Sequence, residues 1–272
     1  MRRYRVLKFT IDSTRNILSD SLPQNIAMGI AKKEMSGYLK SKYGETNFDD
    51  KFKRYMSLQK PVLSVVEEHS YLLEDICDAY VNNSLYSALT GACCLGERIF
   101  NNIIFKVMDD FKSSPHYKVI FNKDSIIDWD KAINILTDWR IIDDKVKEKY
   151  LILKDLRNES VHYQKKDQDL ERMSIESINT INFIIENLFG LGPNRRNILI
   201  YYEVPGELYI KKSAEVDPLV KAFYIPCSFL VGPQHQLVSD PSGKWKISDS
   251  NSYEQRDIDD EEFVKMRSGY KI

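Results

Sequence analysis

KEKYLILKDLRNESVHYQ, residues 147–164, reads as one amphipathic helix. Ile152, Leu153, Leu156 and Tyr163 lie toward one side, while Asp155, Asn158 and His162 follow the i, i+3, i+7 spacing on another. A polar stripe of that kind has no place in an apolar core. The apolar side must meet other helices, and the chain around it has the right period to supply them.

Upstream, Val62, Val65, Val66, Leu72, Leu73, Ile76 and Tyr80 form a helical apolar face with Pro61 as a first-turn residue. Asn82-Asn83-Ser84 breaks that run and offers Asn83 or Ser84 as the cap of a second helix. Its stripe is Leu85, Leu89, Ala92, Gly96, Ile99 and Ile103, and small residues crowd Ala88 to Gly96. Small side chains let a neighbouring helix approach closely, so this helix is expected at the centre of its bundle. A connector with Ser113-Ser114-Pro115 precedes a shorter helix from about Trp129 to Trp139, capped by Asp128. The motif helix, Asp143 to about Val161, comes next, and a last helix from Ser174 to Phe189 stops at Gly190-Leu-Gly192-Pro193. The expected fold is mainly α with a smaller β part: about five helices in residues 61–192, then a small antiparallel β-rich region over 193–272.

The β expectation rests on short runs at Asn197–Glu203, Glu207–Lys212, Ala222–Val231 and Lys244–Ser248, separated by Pro-Gly, Gly-Pro and Pro-Ser-Gly turns, with an acidic helix near Asp259–Met266. Residues 1–60 read as a basic segment of mixed structure: a strand over Tyr4–Ile11, a weakly amphipathic helix around Asn25–Tyr43 and the polar loop GETNFDD. They carry 13 Lys and Arg against 6 Asp and Glu, whereas residues 61–192 carry 15 against 22. Such a segment can meet a polyanion or dock on its own acidic neighbour. Its aromatics Tyr4, Phe9, Tyr38, Tyr43, Phe48, Phe52 and Tyr55 fit either a base-stacking surface or the core of a small subdomain.

Composition narrows the function classes. A hydrophobic share of 43% and a charged share of 29% indicate a soluble globular chain. The basic amino terminus lacks the apolar block of a secretion signal, and a reducing cytoplasm is the expected compartment, with no membrane contact. Cys77, Cys93, Cys94 and Cys227 form no CxxC pair, so neither a zinc site nor a disulfide framework is expected, and no cofactor is implied. No phosphate-cradling glycine loop and no G-x-S-x-G elbow occur. Three of the four histidines read as surface or cap residues: His69 beside Glu67 and Glu68, His116 after a proline, and His235 in a turn.

The chemistry concentrates in Arg157, Asn158 and His162. An imidazole titrating near pH 6.5 can take a proton from a ribose 2′-hydroxyl and return one to the leaving 5′-oxygen. A guanidinium stays charged and forks onto two phosphate oxygens. On an ideal helix Arg157 and His162 stand roughly 140° apart, so both reach one phosphate only if the helix ends near His162 or a second chain completes the site.

An Asn directly after the Arg, a place late on an amphipathic helix, and long helices on both sides together resemble the HEPN family, with LRNESVHY at the Arg-polar-His signature. The resemblance covers about 130 residues and outside this segment rests on helix pattern. It implies a metal-independent endoribonuclease, a hydrolase of RNA that leaves a 2′,3′-cyclic phosphate, in a toxin or antiviral-defence role. His162 would be the general acid/base, Arg157 would hold the scissile phosphate, and Asn158 would orient one of them. It also implies a homodimer with two motifs facing one cleft, and an antitoxin or other regulatory partner. Glu97, in GACCLGERIFN, matches the family's tendency to place an acid on a helix near the site; it reads equally as a solvated Glu paired with Arg98 or with a Lys of another helix. Some family toxins carry a Tyr two residues after the His, where a partner enzyme modifies it; here that position is Gln164, and the Tyr is one residue earlier, at Tyr163. The alternative to catalysis is a non-catalytic dimerisation module that binds nucleotide or RNA.

Overall fold

A computed structural model describes residues 3–6, 24–59, 62, 64–161, 169–191, 199–201, 208–239, 245–249, 252–254 and 256–270. The protein is mainly helical, with a few short strands. It divides into two compact units: residues 9–190 form one, and residues 1–8 with 191–272 form the other.

In the larger unit the described helices are α1 (Gln24–Tyr43), α2 (Phe48–Ser57), α3 (Glu67–Val81), α4 (Leu85–Val107), α5 (Pro115–Ile120), α6 (Trp129–Asp138), α7 (Asp144–Val161) and α8 (Leu170–Phe189). Helix α4 is the hub and touches α3, α6, α7 and α8. Its stripe Leu89, Ala92, Gly96, Ile99 and Ile103 is buried, as the small-residue pattern predicts. At Gly96 the close approach is literal: a Cβ there would lie 2.5 Å from Leu153 Cδ2 on α7 and 3.3 Å from Trp129 Cη2 on α6. Phe100, one turn on, packs edge-on against Trp129 with ring centres 5.1 Å apart. Ile178, Ile181, Ile185 and Leu188 of α8 complete the core.

Several boundaries move for physical reasons. The helix expected from Pro61 begins only at Glu67, because Val65 and its neighbours bond elsewhere: Val65 N donates to Phe189 O at 2.9 Å and Ser64 bridges Gly190. The Ser113-Ser114-Pro115 connector opens the short α5, whose first turn Ser114 caps by accepting from His116 N. Asp128 caps α6 as expected, accepting from Lys131 N. Asp143 Oδ1 accepts from Val146 N at 2.9 Å at the start of α7. Helix α8 starts four residues before the expected Ser174, where Asp169 accepts from Arg172 N.

Residues 24–59 belong to the helical unit, where α2, whose Phe48, Phe52 and Tyr55 follow the i, i+4, i+7 spacing, packs on α1 and α3. Lys42 Nζ lies 2.8 Å from Glu74 and 3.0 Å from Asp78, and Tyr43 Oη donates to Asp78 at 2.6 Å. Arg54 meets Glu171 at 3.3 Å. Tyr43, Phe52 and Tyr55 are buried, so these three aromatics are core and not a stacking surface.

In the smaller unit β1 (Arg3–Val6) pairs antiparallel with both β3 (Leu208–Ile210) and β4 (Ser228–Val231), and β2 (Leu199–Tyr201) pairs with β3. The strand order is β2-β3-β1-β4, and β5 (Gln236–Ser239) forms a separate antiparallel pair with β6 (Trp245–Ser248). The strand expected over Ala222–Val231 is strand only from Ser228; Val220–Tyr224 is a π-helical turn and Ile225–Cys227 a 3-10 turn containing Pro226. Helix α9 (Asp260–Ser268), capped by Asp259, sends Phe263 into a small core with Tyr209, Val231 and Ile258. Among the described residues no helix is long and apolar enough to cross a membrane.

Candidate active site around Arg157

Three helices bring the described part of the site together. The side chain of Asn101 on α4 staples the loop that precedes α6: its Nδ2 donates to Ile126 O at 3.2 Å, and its Oδ1 accepts from Ile126 N at 2.7 Å. That loop delivers Trp129, the first residue of α6, onto α4 beside Gly96. There the indole Nε1 donates to Glu97 Oε2 at 3.1 Å. A buried indole needs an acceptor, and the carboxylate supplies it.

The same oxygen, Glu97 Oε2, lies 3.8 Å from Arg157 Nε on α7. Leu153, one turn before Arg157, fills the space over Gly96, so the bare α-carbon at Gly96 sets α7 close enough to α4 for this pair to form. Lys154 Nζ donates to Asp130 at 2.7 Å and ties α7 to α6 on the same side. Both ion-pair side chains are about a third exposed, at 32% for Arg157 and 31% for Glu97. The Arg157 side chain is therefore open in part to solvent.

Of the four site residues read from the sequence, the structure brings Arg157 and Glu97 together. Glu97 is not paired with Arg98, which meets Glu68 instead. Asn158 follows on α7, half-buried, with no side-chain hydrogen bond among the described residues. His162 lies outside the described residues, as do Tyr163 and Gln164, and α7 is described to Val161. The two residues that sequence reasoning missed are Trp129 and Asn101. The signal for Trp129 was present: a Trp directly after a capping Asp, at the start of an apolar stripe, is a buried indole in need of a partner.

Cys93 borders the site from α4, donating to Leu153 O at 3.8 Å. Burial, and Cys94 beside it, push its thiol up to about 12 against the opposing pull of Arg157. It is protonated at neutral pH and is no nucleophile. Among the described residues no group of three or more His, Cys, Asp or Glu side chains is placed to hold a metal ion.

The other histidines depart from the surface reading in two cases. His69 is 1% exposed, its ring edge-on to Phe189 at 4.8 Å, and neither nitrogen has a hydrogen-bond partner among the described residues. His235 is fully buried, with Nδ1 2.7 Å from Gly232 O and Nε2 3.1 Å from Tyr209 Oη. A carbonyl only accepts, so Nδ1 carries the proton and the tyrosine hydroxyl donates to Nε2. His116 is paired with Asp138 at 2.7 Å.

No protein-family model, no curated protein and no solved structure matches this chain.

Proposed function

We propose that the helical unit is a HEPN-type bundle, accompanied by a small antiparallel β-rich region, and that the protein is a metal-independent endoribonuclease of the defence or toxin kind. In this reading His162 takes the proton from the ribose 2′-hydroxyl, the 2′-oxygen attacks phosphorus, the bond to the 5′-oxygen breaks, and that oxygen leaves with a proton. The products are a 2′,3′-cyclic phosphate and a 5′-hydroxyl. Arg157 grips the phosphate oxygens, Asn158 orients the reacting groups, and a second copy of the chain supplies the facing motif.

The observation that supports this most is the Arg157–Glu97 pair. A guanidinium on the motif helix has its Nε 3.8 Å from a carboxylate oxygen, at ion-pair distance, and stays part-exposed, five residues before His162. A fixed cation aimed at an anionic group is worth more to a transition state than a wandering one. The test is purified protein with labelled RNA in excess EDTA. Cleavage with cyclic-phosphate ends, lost in His162→Ala and in Arg157→Ala, and no cutting of the matching DNA, is the expected result. Equal cleavage by both variants would rule the mechanism out.

A second reading is favoured by one feature, an open groove of about 390 Å³ along α7 and α8, lined by Lys149, Asn179 and Phe183 together with Glu186 and an Arg172 paired to Glu176 at 2.7 Å. Lys149 Nζ sits 5.6 Å from the Phe183 ring centre, and Asn179 Oδ1 is buried without a partner among the described residues. A binding module for nucleotide or RNA that does no chemistry would use such a groove. RNA binding with no cleavage by the wild-type protein selects this reading.

A further inference from the structure

We infer that Trp129 is a positioning residue for Arg157 and acts through Glu97; the inference rests on the proposal that Arg157 is the phosphate-gripping group. A carboxylate on a helix surface samples several rotamers, and an ion pair with a part-exposed arginine at 3.8 Å does not by itself select one. The indole does. Its Nε1–H donates to the very oxygen that faces Arg157 Nε, at 3.1 Å.

The indole is itself immobile. Its ring is 4% exposed, edge-on to Phe100 at 5.1 Å and to Tyr150 at 6.5 Å, and presses on the bare face of Gly96. Asp128 caps the helix just before it, and Asn101 holds the loop before that. The order of restraint therefore runs from the packed core to the indole, from the indole to Glu97, and from Glu97 to the Nε edge of the guanidinium. With that edge facing Glu97 at the ion-pair distance of 3.8 Å, Arg157 keeps its two terminal nitrogens, for which no partner exists among the described residues, to fork onto an anionic ligand. A carboxylate one turn of rotamer away would leave the guanidinium unaimed, and misplacement of about 1 Å at a reacting group costs on the order of a hundredfold in rate.

The experiment compares wild-type protein, Trp129→Phe and Glu97→Gln. Trp129→Phe removes the N–H and keeps an aromatic ring against Phe100; Glu97→Gln keeps an acceptor for the indole and removes the charge. The first readout is the Arg157 Nε–Hε resonance, assigned by its disappearance in Arg157→Lys. The expected result in both variants is a shift toward the free-arginine position and at least a tenfold faster solvent exchange, with the backbone spectrum of α4 and α7 retained. The second readout is steady-state RNA cleavage, where kcat is expected to fall about tenfold with KM nearly unchanged. An Arg157 resonance that stays put in Trp129→Phe overturns the inference, whatever the cleavage data show. If Trp129→Phe alters the fold, the same unmoved resonance in Glu97→Gln overturns it. A resonance that moves in a protein that cuts no RNA supports the positioning role and counts against the nuclease reading alone.

Discussion

Leu153 occupies the space that a side chain on Gly96 would need: a Cβ at residue 96 would stand 2.5 Å from Leu153 Cδ2. Helices α4 and α7 meet at this point, and it is one turn of α7 away from Arg157. The closeness of the two helices and the geometry of the candidate site are thus one fact. Glycine in mid-helix costs about 0.5–1 kcal/mol relative to alanine, so its presence here is offset by the packing that it permits.

Gly96→Ala is therefore expected to destabilise the protein, by about 1–3 kcal/mol, although alanine is the better helix former. Leu153 must shift, and the added methyl would also stand 3.3 Å from the buried Trp129 ring. Urea unfolding measures the loss. A stabilised Gly96→Ala protein would show that α7 is free to move away.

His69 sets a pH dependence whose sign follows from its burial. Desolvation first, then the charges of Arg98 and Lys106, lower its pKa to about 4 from 6.5. The folded state holds it neutral, while the unfolded chain takes up a proton below its ordinary pKa. Its contribution is whole above pH 6.5 and is lost as pH falls toward 4, a difference of roughly 3 kcal/mol at the lower end. His69→Phe, packed on Phe189, should remove that part of the acid sensitivity. Unfolding curves at pH 7, 6 and 5 for the two proteins decide it: parallel losses would mean that His69 is not the titrating group.

The Lys42 cluster separates the two roles open to the basic amino-terminal segment. Partial burial opposes its charge, but hydrogen bonds to Glu74 and Asp78 win and hold the ammonium above the ordinary lysine range. Lys42→Gln is expected to lower stability by about 1 kcal/mol and to leave RNA affinity and its salt dependence unchanged. A shallower salt slope, by about 0.7–0.9 per charge removed, would place Lys42 on the nucleic acid instead.

Arg157→Lys tests whether geometry or charge matters at the site. Lysine keeps the cation but has no Nε edge for Glu97 and no fork for a phosphate. RNA cleavage is expected to fall by about 10²-fold or more, with melting temperature nearly unchanged. A lysine variant cleaving at the wild-type rate would show that a point charge suffices.

The helices were legible in the sequence wherever an apolar stripe of period 3.6 met a capping residue. Asp128 and α6 are the clearest case, and the small-residue run placed α4 at the hub. Helix α2 was missed although Phe48, Phe52 and Tyr55 recur at helical spacing, because its first turn falls in the polar run GETNFDD, which reads as a loop, and α5 is only six residues long. The extended run before Glu67 misled for a different reason. Val62, Val65 and Val66 have the spacing of a helix, but Val65 N takes Phe189 O, a partner more than a hundred residues away.

By itself the sequence determined the apolar faces of α4, α6, α7 and α8, that Asp128 caps α6, and that Arg157, Asn158 and His162 share one short run. Those properties are local: dihedral preference, periodicity and capping act over a few residues. Only the tertiary structure decided that Glu97 turns from Arg98 to Arg157, that Trp129 shares its carboxylate oxygen, and that His69 is sealed against Phe189. Each depends on which helices touch and how closely, and that is set by the packing of side chains distant in the chain, with a single absent Cβ at Gly96 letting α7 close on α4.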